Sequence, residues 1–331
     1  VTEPALDVVA IGNAIVDVIS RADDAFLATH GLNKGGMQLI DAATAELLYG
    51  EMGAGIESSG GSAANTLAGL AALGRSCAFI GQVRDDILGT VFAHDIRALG
   101  IRFDTPARQV EPPTARCLIL VTEDAQRTMN TFLGASQFLP PAAIDDDLIR
   151  SARILYLEGY LWDPEEPRAA MRGAIAVARE AGREVAFTLS DAFVIERHRD
   201  DFVALIDEGL VDILFANETE IMSLAQTTDF DAAVAAFAPR VPTLVVTRSE
   251  KGATAFRGGV SWHVEAAPVA QVVDTTGAGD LFAAGFLAGH VAGRPVEDCL
   301  KMGAIAAAEI ISHFGARPES DLKALMGPLA G

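Results

Sequence analysis

Short runs of consecutive apolar residues alternate along the chain with stretches whose apolar positions recur every three or four residues. The runs at 6–11, 77–80, 154–157, 184–189, 212–216 and 243–247 have the length of strands buried on both faces. Residues 15–20 resume the extended pattern after Gly12-Asn13. Helical spacing covers 65–73, 85–99, 166–181, 202–208, 229–236, 279–290 and 295–311. This rotation predicts an α/β fold: a mostly parallel central sheet with helices on both faces. Two stretches break it, 31–41 and 102–134, both strand-rich without helices between. The second holds apolar runs at 115–121 and 127–133 around a polar turn at 122–126, a hairpin pattern. A small β-sheet lid is therefore expected, made by 16–45 and 101–134, over a discontinuous core of 1–15, 46–100 and 135–331.

Composition narrows the partners. Half of the 331 residues are hydrophobic, enough for a large core, and 45 acidic against 25 basic side chains give a net charge of −20. Such a surface repels polyanions, so neither nucleic acid nor an anionic membrane is expected as a partner. Cys77, Cys117 and Cys299 show no metal or disulfide spacing, which favours a reducing cytoplasm. The start, Val1-Thr2-Glu3-Pro4, has no basic region followed by an apolar run, and residues 281–293 are too few and too Gly-rich to span a bilayer. Oligomeric state is open between monomer and homodimer; an exposed apolar lid face would favour the dimer.

The chemistry concentrates in Asp274-Thr275-Thr276-Gly277-Ala278-Gly279-Asp280, which runs straight into an apolar helix. Gly277 and Gly279 let backbone approach a ligand, and free N–H groups at a helix start favour an anion. Asp280 reads either as a helix-capping acid or as a general base beside that anion hole. Gly60-Gly61-Ser62-Ala63-Ala64-Asn65 opens another helix, either as a plain turn or as a substrate cradle with Asn65 on a hydroxyl pair. Asn217-Glu218-Thr219-Glu220 follows a strand, either as an N-capped first turn or as a holder of Mg²⁺ through water. Asp17 is a lone acid in an apolar strand and should face solvent or ligand hydroxyls. Arg127 on the hairpin is a surface charge or a phosphate clamp. No P-loop, HExxH or complete dinucleotide fingerprint is present, and the six histidines show no i,i+4 pairing.

These motifs resemble the signatures of the ribokinase-like (PfkB) carbohydrate and nucleoside kinases: 274–280 the C-terminal one, Gly60 to Asn65 the Gly-Gly-x-x-x-Asn one, and Asn217 to Glu220 the Asn-x-x-Glu magnesium motif. With Gly12-Asn13-Ala14-Ile15-Val16-Asp17 the resemblance spans nearly the whole chain in order, and within the family 12–17, 189–193 and 212–220 look closest to adenosine kinases. It implies an ATP- and Mg²⁺-dependent kinase acting on a nucleoside 5′-hydroxyl, most simply adenosine to AMP. Asp280 would then be the base, and Gly277, Ala278 and Gly279 the anion hole. Asp17, Gly61 and Asn65 would hold ribose hydroxyls, with Asn13 beside them on the substrate side. Asn217 and Glu220 would position magnesium-bound water. Thr247, Arg248 and Gly252 resemble the turn that contacts ATP phosphates, His313 would lie near the adenine, and a monovalent cation such as K⁺ would sit near Asp274 and Thr276.

A nucleoside needs an apolar slot for its base. Met37, Leu39, Phe132, Leu133, Tyr160, Leu161 and Trp162 are the candidates, although for each one core packing is the more common explanation of an apolar residue. The segment Tyr160-Leu161-Trp162 departs from the Phe-Phe pair associated with animal adenosine kinases. Two alternatives stand beside the nucleoside kinase: a sugar kinase acting on ribose, fructose or a related primary hydroxyl, and a non-catalytic binder of the same ligands. The acidic surface is compatible with ATP if backbone N–H groups, Mg²⁺, Arg127 and Arg248 receive the phosphates.

Overall fold

Eight strands form the main sheet of the computed structural model, which describes residues 4–124 and 126–329. Residues 1–3 and Ala125, in the expected hairpin turn, lie outside the described residues. The strands among the described residues are β1 (Leu6–Ile11), β2 (Ile15–Arg21), β3 (Met37–Leu39), β4 (Gly55–Gly60), β5 (Cys77–Ile80), β6 (Ala115–Val121), β7 (Arg127–Phe132), β8 (Ala152–Glu158), β9 (Glu184–Thr188), β10 (Ile213–Asn217), β11 (Thr243–Thr247), β12 (Ala253–Arg257) and β13 (Val260–Val264). The main sheet runs β13-β12-β11-β10-β9-β8-β1-β5, parallel from β11 to β5, with β12 and β13 antiparallel at one edge. Alternate residues of its parallel strands fall into two separate cores. Val8, Phe79, Tyr156 and Phe215 pack on one face with the helices Ser62–Ala72, Ala278–Val291 and Val296–Ile310. Val9, Ile80, Leu157 and Phe187 pack on the other with Glu165–Glu180 and Ala192–Asp207. Burial on both faces is why these strands read as continuous apolar runs.

The second sheet, β3-β7-β6-β2-β4, is the lid. Its outer face packs Val16, Val18, Leu118 and Leu120 with Leu27 and Leu48, from two short helices, Asp24–Thr29 and Ala42–Glu51, that the strand-rich reading did not foresee. β4 pairs antiparallel with β2 and so belongs to the lid sheet, although the expected boundary sets 46–100 with the core. Gly-Ile-Glu-Ser-Ser-Gly carries a single apolar residue, so pairing, not pattern, makes it a strand. The expected elements omit β12 and β13, although apolar and polar residues alternate there as in a half-buried edge strand. The helix Ala192–Asp207 begins ten residues before the expected 202, its first half disguised by charged residues and bent at His198. All three cysteines are free and buried, and no helix among the described residues is long and apolar enough to cross a membrane.

Candidate active site

The chain enters the lid at β1→β2 and returns at Ser136, beside the point where the sheet order reverses between β1 and β8. Glu158, the last residue of β8, ties this junction together. Its carboxylate accepts the Asn13 backbone N–H and side-chain N–H at 2.7 Å each and the Ala63 N–H at 2.8 Å, while Ser136 Oγ donates to Asn13 Oδ1 at 2.8 Å. Burial lifts the Glu158 carboxyl to about 7 against the pull of these donors. Asn13 is thus engaged with protein on both ends of its amide. Space here is tight: a Cβ on Gly12 would lie 2.5 Å from Glu158 Oε2, and one on Gly61, at φ 95°, would lie 2.2 Å from the Asn13 carbonyl.

Asp280 lies in the first turn of Ala278–Val291 and meets the start of Ser62–Ala72. Ser62 Oγ donates to Oδ1 at 2.6 Å and Asn65 Nδ2 to Oδ2 at 3.1 Å. Burial raises the carboxyl above its ordinary range, while Ser62, Asn65 and the Arg317 charge pull it back. Asn65 Oδ1 is buried with no partner among the described residues, an acceptor waiting for a donor. Gly277 caps the helix in the left-handed region, φ 78°, and makes no side-chain cap bond. Ala278 N–H bonds the Thr275 carbonyl and Leu281 N–H the Gly277 carbonyl, so the N–H groups of Gly279 and Asp280 remain without an acceptor among the described residues. A Cβ on Gly279 would meet no protein atom within 4 Å, so the space beside these donors is open.

The lid's inner face looks onto this pair of helix starts. Its register sets two rows side by side: Ser58, Asp17, Cys117, Thr131 and Leu39, then Ile56, Ile19, Ile119, Met129 and Met37. The first row is largely polar and the second wholly apolar. Burial lifts Asp17 to about 6, opposed by the charges of Arg317 and Arg127 and reinforced by Asp280. A Cβ on Gly60 would lie 2.4 Å from the Asp17 carboxylate, so glycine there leaves it room. Arg127 is buried, bonded to Asp274 and set over the Phe314 ring at 5.2 Å, with its Nε and Nη2 unpartnered. Thr276 donates to Asp274 through its N–H and its hydroxyl.

The Asn217 motif forms a complete capping box. Asn217 Oδ1 accepts the Glu220 N–H at 2.8 Å, and Glu220 accepts the Asn217 backbone and side-chain N–H at 2.9 and 2.7 Å. Burial lifts Glu220 to about 7, with Asp191 and Asp280 adding to the rise. Among the described residues no group of three or more His, Cys, Asp or Glu side chains gathers to hold a metal directly. Thr247 lies opposite Asn217 in the sheet register, Arg248 is paired with Glu218 at 2.6 Å over the Phe230 ring, and Gly252 (φ 79°) closes the turn. His313 is bound to Glu309 at 3.1 Å in the loop after Val296–Ile310.

The apolar candidates separate. Met37 and Leu39 stand exposed on the lid's inner face, and Tyr160 is half-exposed, its phenol pushed up by burial and by Asp191 and Asp280. Phe132 pairs with Arg116 on the opposite lid face, and Leu133 is half-buried just after β7. Leu161 and Trp162 are core: Trp162 packs between Phe187 and Phe202 and donates to Asp201. The sequence reading missed Ser62, Glu158 and Arg317. Arg317 bonds the Ala64 carbonyl at 2.9 Å and Ser59 Oγ at 2.8 Å, joining lid strand to helix start beneath Asp17 and Asp280. An acid closing the apolar run 154–157 was the one visible signal, for Glu158.

Residues 40–323 match the family model described as pfkB family carbohydrate kinase. The chain is similar to a solved adenosine kinase from Sinorhizobium meliloti, with 50% identity, 96% of this chain and 97% of that chain covered, and a TM-score of 0.88. It is also similar to a solved probable sugar kinase from Rhizobium etli, with 48% identity, coverage of 96% and 97%, and a TM-score of 0.89. A curated relative, a probable chloroplastic fructokinase-6 of Arabidopsis thaliana, is 30% identical over 76% of this chain and 68% of its own length. The chain belongs to the pfkB family of carbohydrate kinases, phosphotransferases that act on a sugar or nucleoside hydroxyl.

Proposed function

We propose that the chain transfers the terminal phosphoryl group of ATP, with Mg²⁺, to the 5′-hydroxyl of a nucleoside, adenosine before others. The observation that carries the nucleoside is the double row of the lid: a polar row holding Asp17, suited to ribose hydroxyls, beside an apolar row suited to a base. Half-identity to an adenosine kinase supports the same reading, while nearly equal identity to a probable sugar kinase supports the second reading below.

When bound, MgATP supplies the phosphoryl group and part of the charge neutralisation. The chain supplies the rest. Asp280, oriented by Ser62 and Asn65, takes the proton as the hydroxyl oxygen attacks phosphorus and ADP leaves. The free N–H groups of Gly279 and Asp280 face the charge that develops, and the unpartnered nitrogens of Arg127 can reach the same anion from the lid. The Asn65 Oδ1 acceptor and the Asp17 carboxylate receive the remaining hydroxyls. Asn217 and Glu220 would order water on the metal.

A sugar kinase is the second reading, favoured by the fructokinase relative and by the polar row alone, which would also satisfy a free sugar. ATP consumption measured against adenosine, inosine, guanosine, ribose and fructose separates the two. Turnover with a nucleoside is expected; turnover with a sugar and none with any nucleoside defeats the reading.

A further inference from the structure

Asp274 is the group to which the family resemblance assigns a monovalent cation, and its surroundings argue against one. Oδ1 accepts the Thr276 N–H at 3.0 Å and the Thr276 hydroxyl at 2.8 Å. Oδ2 accepts the Gly315 N–H at 3.2 Å and the guanidinium of Arg127. A carboxylate offers about four lone-pair sites, and four protein donors take them all. The charge is matched as well, because both partners of the ion pair are buried, at 7% and 6% side-chain exposure. K⁺ at this carboxylate does not fit.

The guanidinium comes from the lid. Arg127 opens β7, whereas Asp274 begins the loop that leads through Thr276 into the Gly277 helix start, and Phe314 and Gly315 belong to the C-terminal loop. Three segments distant in sequence thus meet at one carboxylate, and only one of them brings a positive charge. Since Asp274 also holds the two Thr276 donors, whatever neutralises it orders the approach to Gly277.

We infer that Arg127 stands in the place of a monovalent cation: a latch from the lid neutralises Asp274 and orders the phosphate-facing loop, so that the protein needs no K⁺. The inference rests on the kinase reading for its effect on turnover, and on the ion pair alone for its effect on stability. Arg127 here is a positioning residue through Asp274, apart from any contact of its free nitrogens with substrate.

The test compares KCl, NaCl and choline chloride at one ionic strength, so that screening is constant. For the unaltered protein, the melting midpoint and the rate of adenosine-dependent ATP turnover should be the same in all three salts. Arg127→Met leaves a buried carboxylate without its counter-charge and should slow turnover at least about tenfold in choline. In that variant K⁺ should raise the melting midpoint and recover part of the rate, and choline should do neither. The double variant Arg127→Met with Asp274→Asn should lose the K⁺ response, since no charge is left to neutralise. K⁺ activation of the unaltered protein overturns the inference, as does an Arg127→Met variant whose melting midpoint ignores K⁺. If Arg127→Met does not fold, the salt series on the unaltered protein still decides. If no acceptor is phosphorylated at all, the kinase reading fails while the melting midpoints still test the latch.

Discussion

Two helix starts in this molecule treat their free N–H groups in opposite ways. At Asn217 the first turn is closed on itself: the Asn217 amide oxygen and the Glu220 carboxylate accept three hydrogen bonds from N–H groups of the same two residues. At Gly277 the first turn is open, capped by a left-handed glycine with no side-chain acceptor. The helix Ser62–Ala72 starts on Gly61 in the same uncapped way, and its first turn is turned toward Asp280. Elsewhere Asp41, Asp86 and Asp229 cap helix starts, while Glu165–Glu180 and Val296–Ile310 begin after prolines, without a side-chain cap but with acidic residues in the first turn. A cap is worth about 1 kcal/mol, so leaving the two glycine-led starts without one forgoes stability. The difference teaches where an anion belongs: at the turn the protein has not filled with its own oxygen.

The comparison breaks first at Asp280. If the open turn is the reaction site, Asp280→Asn keeps the melting profile and lowers turnover by about 10²–10⁴-fold. Near-normal turnover in that variant would return Asp280 to a mere first-turn acid.

A pH series sharpens it next. Asp17, facing the open turn, is lifted to about 6, whereas Glu220, inside the closed box, is lifted to about 7. If ionised Asp17 holds the acceptor, kcat/KM falls about tenfold per pH unit below a midpoint near 6. Asp17→Asn should remove that limb. A limb centred near 7 and retained in Asp17→Asn would take the role from Asp17 and shift it to Glu220 or Glu158, both lifted to about 7. Stability follows the opposite sign. A carboxyl whose folded value is raised contributes stability below its unfolded value, roughly 3.9, and loses it as pH rises through about 6. Asp17→Asn should therefore gain in melting midpoint over the unaltered protein above pH 6, and that advantage should vanish near pH 4.

The smallest effects compare the two turns directly. Asn217→Ala should cost about 0.5–2 kcal/mol of stability by chemical denaturation. Gly279→Ala should instead gain about 0.5–1 kcal/mol, since its Cβ meets no protein atom, while raising the KM for ATP. A Gly279→Ala variant with unchanged KM would show that the open space beside this turn is not where phosphate lies.

The main sheet was legible because strands buried on both faces leave uninterrupted apolar runs, and the 274–280 motif because glycines beside an acid at a helix start have few other uses. β4 was not legible: Ile56 is its only large apolar residue, and pairing with β2 supplies what pattern lacks. The apolar slot was half legible. Tyr160 and Trp162 lie two residues apart in one short turn, yet one is half-exposed and the other is locked among Phe187 and Phe202. Arg317 left no trace at all, since its partners are backbone carbonyls and hydroxyls from segments more than 250 residues away.

The sequence by itself determined the fold class, the lid and the position of the two glycine-led helix starts, because burial on both faces and the need for bare backbone each restrict residue choice locally. Tertiary structure alone decided which groups are spent and which are free. Asn13 is committed to Glu158, Asn217 to Glu220 and Asp274 to Arg127, whereas Asn65 Oδ1 and the N–H groups of Gly279 and Asp280 have no partner among the described residues. That distinction depends on partners brought together across the chain, and a hydrogen-bonding group's availability is a property of its neighbours and not of its own identity.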